Sequence, residues 1–407
     1  MPCPTLACAL AAGLAFALPT ATLAPLSLPP PSDSSLSLLT DAPWPRSIVL
    51  HWTTDDGVPL EGKLTLPGDA RSPAPVVFFL HGAGPRTYDN PMRYVDDAGE
   101  RQVGAYLDFH ARQLADRGIA FFRMSKRGCK AHDGPPWMTL DREVFLAAAP
   151  SVLLADYASA LHQLRARPEI DPDNIALLGA SEGTRLAPQL ALAHPQGIRG
   201  IAMIGFAADN AREIITWQNS VGPWRNIQHM MPQARAGDLP RAAYEQLLAD
   251  DPTLAAQLAF DSLDLNRDGI LTEAEVVQAV RPRLRLVLDA VEHGNDALLT
   301  QLLPMLSSAY LREWWDAEPT VQYMLPLDIP ISIFHGALDG TCRVEGVHEA
   351  RAAFDAAGKP NLFVRLFDDA DHDLNLTWAS AQTGSAMEYI AVFDHIARLL
   401  RPLAPAE

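Results

Sequence analysis

The sequence predicts an α/β fold, in which a mostly parallel sheet carries helices on both faces. The first observation is a series of short apolar runs, each ending at or just before glycine, serine or aspartate. Continuous apolar runs of this kind are typical of strands that are covered on both faces. The second observation is that stretches with helical periodicity lie between these runs, and such alternation indicates a parallel sheet. With 407 residues and 48% hydrophobic content, the chain can form one large domain with an insertion, or two domains.

The predicted elements begin with a hairpin at a sheet edge, because "SIVLHWTT" and "PLEGKLTLP" flank the turn sequence "DDGV". Six buried strands are then predicted, at 75–82, 119–125, 174–180, 198–205, 329–336 and 361–367. Helices are predicted at 106–118, 150–168, 184–195 and 386–402. The interval 207–326 contains no convincing buried strand and has helical periodicity, so we interpret it as a helical cap inserted over the sheet. The core is accordingly divided into two parts, 46–206 and 327–407.

The N-terminal segment predicts an exported protein. An apolar run followed by proline and serine is typical of a secretory signal peptide, although no lysine or arginine precedes Arg46. Cleavage after Ala17 or Ala24 fits the small-residue rule, so we expect a signal peptide over 1–24 and a linker over 25–45. Prolines at 19 and 25 shorten the run below the ~20 apolar residues of a membrane span. We therefore expect a periplasmic or secreted mature chain without a membrane span.

The charge balance argues against nucleic acid or an anionic membrane as a partner. The formal net charge is −17, whereas a phosphate-binding surface needs an excess of lysine and arginine. Removal of the signal peptide would leave two cysteines, Cys129 and Cys342. Either they form a disulfide in an oxidising compartment, or they are two separate and partly buried thiols. The sequence does not indicate the oligomeric state.

Ser181 is the predicted nucleophile. It is the central residue of "GASEG" (179–183), which falls between a predicted strand and a predicted helix. In a Gly-x-Ser-x-Gly elbow the small residues permit a strained turn that exposes the serine hydroxyl near a helix N-terminus. Because the motif stands in this strand-to-helix context, we prefer this interpretation to a glycine-rich turn with an incidental serine.

The partners of such a serine follow it in the chain. A serine hydroxyl becomes nucleophilic when a histidine takes its proton and an acid orients that histidine. Asp339 and His372 each follow a predicted strand, and the order serine, acid, histidine fits this arrangement. Other aspartates crowd the histidine and are interpreted as a solvated acidic turn: Asp368, Asp369, Asp371 and Asp373. His335 precedes the acid, so we interpret it as part of the strand-end architecture.

Backbone amides are the predicted donors to an oxyanion. The N–H of Glu182, directly after the serine, is one, and the N–H of Ala83 is the second, with Gly82 as the alternative. The side chain of Glu182 either contacts substrate or caps the following helix. For Lys126 and Arg127, the alternatives are neutralising a substrate carboxylate and holding loops beneath the site. Aromatic residues of the insertion either line an apolar pocket or form its own core: Trp217, Trp224 and the segment 312–316.

Taken together, these motifs resemble the α/β-hydrolase superfamily. Within it, they are similar to a bacterial serine esterase and peptidase-related branch that reads "HGSGP", "DKRG", "HSEGG", "HGxxD" and then histidine. Here the corresponding segments are "HGAGP" (81–85), "SKRGC" (125–129), "ASEGT" (180–184), "HGALD" (335–339) and "ADHD" (370–373). The resemblance covers about 75–206 and 327–402. Ser125, Thr184 and Cys129 depart from the pattern, which concerns the shape of the pocket rather than the three catalytic positions.

A calcium-binding loop is predicted inside the cap. From Asp264 the chain follows the pattern Asp-x-Asn-x-Asp-Gly-x5-Glu, which ends at Glu275 and resembles an EF-hand loop. In that resemblance the ligands are side-chain oxygens, one carbonyl and a bidentate carboxylate, supplied by Asp264, Asn266, Asp268, Ile270, Thr272 and Glu275. The alternative is a charged surface turn. No second complete loop is visible, so we expect a structural calcium ion that stiffens the cap rather than a paired regulatory switch.

The expected function is that of an exported serine hydrolase that cleaves carboxylic esters through Ser181, His372 and Asp339, without a cofactor for the chemistry. A serine peptidase of the aminopeptidase kind is the nearest alternative, because the same groups also cleave amides. The substrate would be a small-molecule ester or a short peptide. A second alternative, from another class, is a non-catalytic calcium-dependent binding protein on a hydrolase scaffold.

Overall fold

The structure is a computed structural model that describes residues 45–68, 73–95, 101–250, 260–304, 306–377, 380–381 and 384–401. The predicted signal peptide and all but the last residue of the predicted linker lie outside the described residues. Within the described ranges, no helix combines the length and the apolar character that crossing a membrane requires.

An eight-stranded sheet forms the centre of the fold. Its strands, in spatial order, are β1 (Ser47–Thr53), β2 (Pro59–Thr65), β6 (Ala120–Met124), β3 (Ala74–Leu80), β9 (Ile170–Ala180), β10 (Ile198–Ile204), β13 (Ile331–Gly336) and β14 (Leu362–Phe367). The first three strands pair antiparallel, and all other neighbours pair parallel. The predicted fold class is therefore confirmed, with the hairpin β1–β2 at one edge.

Three short ribbons lie outside this sheet: β4 (Pro91–Val95) with β5 (Arg101–Ala105), β7 (Cys129–Ala131) with β8 (Met138–Leu140), and β11 (Asp238–Pro240) with β12 (Ile270–Thr272). The α-helices of the described residues, in chain order, are α1 (Tyr106–Ala115), α2 (Arg142–Leu146), α3 (Pro150–Arg165), α4 (Glu182–Ala193), α5 (Ala211–Gln218), α6 (Gly222–Met230), α7 (Arg241–Asp250), α8 (Phe260–Leu263), α9 (Glu273–Glu292), α10 (Asp296–Leu302), α11 (Ser308–Trp314), α12 (Thr320–Met324), α13 (Glu345–Ala356) and α14 (Met387–Leu399).

Separate helices cover the two faces of the sheet. On α1, Leu107, Ala111 and Leu114 recur at helical spacing and are buried, and α14 packs beside them in the same core. On the opposite face, α3, α4 and α13 contribute the apolar side chains of a second core. Because strands β3, β9 and β10 have apolar side chains on both faces, both cores meet them. This arrangement holds the carboxyl ends of the parallel strands in one row.

Between β10 and β13 the chain forms helices α5 to α12 and the ribbon β11–β12. The two ends of this cap lie together, because Thr320 donates to Ala208 O through its amide, at 2.8 Å, and to Ala207 O through its hydroxyl, at 2.6 Å. Trp224 is buried in a core made of cap residues, which favours the second of the two roles considered for the aromatic residues. Trp314 is instead buried in the core that covers the sheet, which neither role had described. The ribbon β11–β12 was not predicted as a pair, because nothing in the sequence around β11 resembles a second calcium loop.

Candidate active site

Ser181 lies where β9 ends and α4 begins, as the elbow motif predicts. Its backbone adopts φ 52° and ψ −117°, a conformation that residues other than glycine rarely occupy. Its amide donates to the carbonyl of Ile204 on β10 at 2.9 Å, which fixes the turn at the carboxyl edge of the sheet. The side chain is partly exposed, and within the described residues its hydroxyl makes no hydrogen bond. The serine oxygen is therefore accessible to a ligand.

Asp339 and His372 are joined by a short hydrogen bond. They follow β13 and β14, so both lie at the same edge of the sheet as Ser181. His372 Nδ1 donates to Asp339 Oδ2 at 2.7 Å. The other oxygen of this buried carboxylate accepts from the amides of Thr341 at 2.7 Å and Cys342 at 2.8 Å. Each carboxylate oxygen thus has its own donors, and the carboxylate cannot rotate without breaking them.

The charges around His372 favour its protonated form. Burial opposes protonation of the imidazole, but the carboxylates of Asp339, Asp373 and Asp371 outweigh burial and raise the pKa of His372 to about 9. Burial also opposes ionisation of Asp339, yet the charge and hydrogen bond of His372, with the hydrogen bond from the Cys342 amide, hold the pKa of this carboxyl below its usual range. The pair therefore resembles an imidazolium stabilised by a carboxylate, which is the state that a general base reaches after taking a proton.

The imidazole of His372 lies beside the serine turn. A Cβ built on Gly205 would be 2.7 Å from His372 Cε1, so only glycine leaves room for the ring at this position. Gly205 directly follows Ile204, whose carbonyl accepts the amide of Ser181. The structure thus places the imidazole of His372, bonded to Asp339, beside the turn that carries Ser181, whose hydroxyl bonds to neither of them.

His335 is a buried neighbour of the acid. Its Nδ1 accepts the amide of Phe206 at 3.0 Å, so its proton lies on Nε2, which faces Cys342 O at 3.2 Å and Asp339 Oδ2 at 3.5 Å. Burial lowers the pKa of His335. Because this neutral imidazole uses both nitrogens in contacts within the protein, His335 has a structural role, which fits the interpretation made from the sequence. Cys129 and Cys342 are both buried free thiols, so the disulfide considered from the sequence is absent between these two described residues.

The acidic residues after β14 have local roles. Asp371 Oδ1 accepts the amides of Asp373 at 3.1 Å and Asn375 at 2.8 Å, which closes the turn that carries His372. Asp369 forms an ion pair with Arg235 of the cap. The interpretation as a solvated turn thus fits Asp368, which is exposed, and not Asp371, which is buried.

Backbone amides without internal partners surround Ser181. Gly82 lies against the serine, since a Cβ built on it would be 3.2 Å from Ser181 Cβ. In the part of the chain that the structure describes, the N–H groups of Gly82, Ala83 and Glu182 donate no hydrogen bond. These are the donors predicted from the sequence, and the geometry does not choose between Ala83 and Gly82.

Lys126 connects both amide-bearing segments. Its Nζ donates to the Gly82 carbonyl at 2.6 Å and to Glu182 Oε2 at 2.8 Å. The Gly82 carbonyl and the Ala83 N–H belong to one trans peptide, in which the two groups point in opposite directions. Holding the carbonyl therefore fixes the direction of the Ala83 N–H. The Lys126 and Glu182 side chains are each only 2% exposed, so this ion pair is buried.

A small cleft opens beside the ion pair. Its volume is only ≈ 10 Å³, about the space of one water molecule. The charged pair lines it together with apolar or aromatic side chains, among them Phe145, Leu153, Leu306 and Tyr310. Glu182 Oε1 is buried and has no hydrogen-bond partner in the described chain. A buried acceptor in this state favours a ligand that carries a donor. Glu182 therefore forms an ion pair rather than the helix cap considered from the sequence.

The departures from the family pattern have identifiable contacts. Ser125 donates to Glu61 Oε1 at 2.9 Å, a carboxylate that also accepts the amide of Ala131 at 2.7 Å. Thr184 donates to Ser181 O at 2.6 Å and accepts the Ala207 amide at 2.9 Å, which ties the serine turn to the start of the cap. Both polar side chains thus replace the family residue with a loop-fixing hydrogen bond.

Arg127 has a structural role, and its partner was not predicted. Its guanidinium binds both oxygens of buried Asp156, at 2.7 and 2.6 Å, and reaches Asp56 at 2.9 Å. Asp156 lies on a helical stretch without a motif, so the sequence around it carried no signal. Lys126 and Glu182 each lie in a motif, but nothing in the sequence indicated that they pair.

The predicted calcium loop has a mixed geometry. Asp264 is buried, and its Oδ1 has no hydrogen-bond partner within the described residues. Both oxygens of Glu275 accept hydrogen bonds, Oε1 from the amides of Leu265 and Asn266 and Oε2 from the amide and hydroxyl of Thr272. Only one group of three acidic, histidine or cysteine side chains with close ligand atoms occurs among the described residues, and it is not in this loop. The oxygen atoms of this loop are of the kind that calcium binds. The Glu275 carboxylate would have to turn from its hydrogen-bond partners to bind the ion.

Comparisons with known proteins place the chain in a family. The family model described as the alpha/beta hydrolase fold matches residues 75–377, and the chain belongs to this family. The search of curated proteins found no match.

Solved structures with a similar fold are distant. Pyrococcus horikoshii acylaminoacyl peptidase is 13% identical, with a TM-score of 0.47, over 90% of this chain and 43% of the peptidase, so the chain spans less than half of that protein. The alpha/beta hydrolase GrgF from Penicillium sp. sh18 is 16% identical, with a TM-score of 0.46, over 87% of this chain and 99% of that protein. Est1E from Butyrivibrio proteoclasticus is 12% identical, with a TM-score of 0.43, over 86% and 98%.

Proposed function

We propose that this protein is a serine hydrolase that cleaves carboxylic esters, with Ser181 as nucleophile, His372 as general base and Asp339 as the acid that orients it. The observation that carries the proposal is the 2.7 Å hydrogen bond between His372 Nδ1 and Asp339 Oδ2, next to the strained serine turn. Membership in the α/β-hydrolase family supports hydrolysis as the reaction.

The proposed reaction has two halves. As Ser181 Oγ attacks the acyl carbon, its proton moves to His372 Nε2, and the amides of Glu182 and Ala83 stabilise the developing oxyanion. His372 then protonates the departing alcohol, which leaves an acyl-enzyme. Water attacks that ester, gives its proton to His372, and releases the acid as Ser181 is restored. When the imidazole is neutral at the start of each half, Asp339 holds its proton on Nδ1, so that Nε2 is the nitrogen that can accept one.

A fluorophosphonate probe tests this proposal directly. We expect native protein to form a phosphonyl ester at Ser181 with loss of fluoride, because an activated serine displaces it. Peptide mass spectrometry would locate the adduct, and heat-denatured protein should remain unlabelled. Native protein that stays unlabelled would favour the non-catalytic binding protein as the alternative.

The pH dependence should follow His372. The base must be neutral to accept the serine proton, and its pKa is raised to about 9. We therefore expect kcat/KM for a short p-nitrophenyl ester to rise with pH up to about 9, after subtraction of spontaneous hydrolysis. A profile between pH 6 and 10 measures this, and a plateau already complete at pH 7 would contradict it.

Lys126 should act as a positioning residue for the oxyanion donors. Removing Lys126 alone would leave the buried Glu182 carboxylate unpaired, so we pair Lys126→Met with Glu182→Gln. We expect kcat to fall about 10- to 100-fold with little change in KM, because the Ala83 amide bonds to the substrate oxygen only in the transition state and would be less well placed. Removing one oxyanion donor outright lowers kcat by about 10²- to 10³-fold. Lys130→Met, at an exposed lysine, is the control. An unchanged kcat in the double variant would show that the amides are held without Lys126.

Amide hydrolysis is the second candidate function, and one observation favours it. Glu182 Oε1 has no partner and lines the cleft, where it can accept a hydrogen bond from an amide or amine of a substrate. A substrate panel that pairs each ester with the matching anilide, with and without a free α-amino group, separates the two functions. A higher kcat/KM for the amino-bearing anilides would identify a peptidase.

We also propose that a calcium ion binds at 264–275 and that the mature protein is exported. The buried and unpartnered Asp264 Oδ1 supports a cation at the loop, since such an oxygen is costly to leave unpaired. Asp264, Asn266, Asp268 and Glu275 would supply side-chain oxygens, Ile270 a carbonyl, and Thr272 a ligand directly or through water. When bound, the ion would neutralise charge and hold the loop. Export is supported by the N-terminal sequence.

A further inference from the structure

The cap contains two helix–loop–helix halves. In the first half, α6 leads through the loop 231–237 and β11 to α7, and in the second, α8 leads through the calcium-like loop and β12 to α9. Strands β11 and β12 pair antiparallel, with Leu239 opposite Leu271, and both side chains are completely buried. The Arg241 amide also donates to Gly269 O at 2.9 Å. The halves thus meet at equivalent positions, and we refer to residues 222–250 and 260–292 as the paired unit.

The first half of the paired unit cannot hold calcium itself. Its connecting sequence "MPQARAGDLP" contains a single carboxylate, Asp238, which is exposed, whereas calcium requires six to eight oxygens. Its contribution is apolar. Trp224 and Ile227 of α6 share one core with Phe260 before the second loop and with Val276 and Val280 of α9. A change in the position of α9 would therefore alter the packing of α6.

Helix α6 has two faces with different partners. Trp224, Ile227 and, just past its end, Met231 point into the core of the paired unit. Gly222, Asn226 and His229 are spaced by four and three residues, so they share the opposite face. That face lies against the two loops of the candidate active site.

The outer face of α6 meets the loop that carries Asp339. A Cβ built on Gly222 would overlap Gly340 O, and one built on Gly340 would overlap Asn226 Oδ1. Gln218, at the end of α5, donates to Thr341 O at 3.3 Å. Because Thr341 donates to the Asp339 carboxylate, this helix packs directly on the residues that orient the acid.

The same half also meets the loop that carries His372. His229 Nε2 contacts Asn375 Oδ1 at 2.7 Å, and Arg235 forms an ion pair with Asp369. The Asn375 amide in turn donates to Asp371, which closes the turn around His372. The first half of the paired unit therefore contacts both the loop that follows Asp339 and the loop that carries His372.

Glu275 provides the link between the loop and these contacts. It lies in the first turn of α9, where Thr272 and Glu275 form a reciprocal cap, and it also accepts the loop amides. Binding calcium with both oxygens would exchange some of these hydrogen bonds for the ion. The first turn of α9 would adjust with the carboxylate, and Val276 and Val280, which follow on the same helix, share a core with Trp224 and Ile227 of α6.

We propose that calcium bound at 264–275 orders the loops carrying Asp339 and His372, through α9 and then α6, and thereby controls the reactivity of Ser181. The inference rests on two parts of the proposed function, the calcium site and the role of Ser181. The ordering of the two loops is a separate property, and it can be measured in a protein without catalytic activity.

Hydrogen exchange and labelling rate test the proposal together. Purified protein is treated with chelator and then measured with excess chelator, with Ca²⁺, and with Mg²⁺ as an ion of the same charge. We expect Ca²⁺ to raise the melting temperature, to slow amide exchange over 339–342 and 369–376, and to increase the rate of fluorophosphonate labelling about 5-fold or more. We expect Mg²⁺, which resists giving up its water, to do much less.

Two variants separate binding from coupling. Asp264→Asn, a nearly isosteric change, should abolish every effect of calcium. The double variant His229→Ala, Arg235→Ala should still bind calcium and show the rise in melting temperature, while the exchange of 369–376 and the labelling rate no longer respond. The matched controls are Arg212→Ala, whose ion pair with Asp316 lies elsewhere in the cap, and His293→Ala, an exposed histidine beyond α9. Both should respond to calcium like the wild type.

Three results would overturn the inference. If calcium left the melting temperature unchanged, the ion would not bind at 264–275. If calcium stabilised the protein without slowing amide exchange at either loop, the calcium site would not be coupled to the loops of Asp339 and His372. A full response in the His229 and Arg235 double variant would exclude α6 as the connection. Protein that never reacts with the phosphonate, yet shows slower loop exchange with calcium, would contradict the proposed hydrolase function and support the coupling.

Discussion

Ser181→Ala should lower kcat for a short p-nitrophenyl ester by about 10⁵- to 10⁶-fold, which is the size of the loss when the nucleophile of a serine hydrolase is removed. The variant keeps the amides of Glu182 and Ala83, so KM should change far less than kcat. Alanine must also adopt the φ of 52° found at this position, so circular dichroism and melting temperature should be measured beside activity.

The control for this variant is Ser47→Ala, at an exposed serine that begins the edge strand β1, which should retain wild-type kinetics. A purified Ser181→Ala protein that is folded and hydrolyses the ester within about 10-fold of the wild type would remove Ser181 from the mechanism. If the residual activity differed between independent purifications of the same variant, it would come from a contaminating esterase.

Asp339→Asn should lower kcat by about 10⁴-fold, because the substitution imposes the wrong tautomer on His372. The amides of Thr341 and Cys342 donate to one carboxylate oxygen, so the asparagine oxygen must occupy that position. Its amide group then points at His372 Nδ1 and donates to it, which leaves the ring proton on Nε2. A protonated Nε2 cannot accept the serine proton. Without the carboxylate, the pKa of His372 should also fall from about 9.

The matched control is Asp368→Asn, at an exposed aspartate of the same acidic segment, which should remain fully active. The pKa of His372 can be followed by NMR in both proteins. If Asp339→Asn retained activity within about 10-fold of the wild type, the carboxylate that orients His372 would be another one, and Asp371 or Asp373 would be tested next.

The sequence predicted the parts of the fold that depend on local pattern. Strands β3, β9, β13 and β14 have largely apolar runs, and each ends near a residue that we assigned to the site, because parallel strands present their carboxyl ends together. Ser181, Asp339 and His372 could be proposed for that reason. The three residues lie close together because of the order of the strands in the sheet. The resemblance to the family implied that order, since the motifs follow one another as they do in the family.

The contacts that the sequence did not predict all join distant segments. Lys126 and Glu182 form a buried pair across two loops, and His229 contacts Asn375 across the cap boundary. No periodicity or spacing encodes such pairs, since each partner alone is compatible with a solvent-exposed side chain. The strand β11 was missed for a related reason, because three residues carry little strand signal until β12 supplies their hydrogen bonds.

The closure of the cap at its base has an evolutionary consequence. Its chain leaves beside β10 and returns beside β13, which are adjacent in the sheet, and Thr320 binds the carbonyls of residues 207 and 208 at that junction. An insertion whose two ends already meet can lengthen, shrink or be replaced without altering the strands on either side. The cap can thus diverge among descendants of one ancestor, while the strands that carry Ser181, Asp339 and His372 keep their inherited positions.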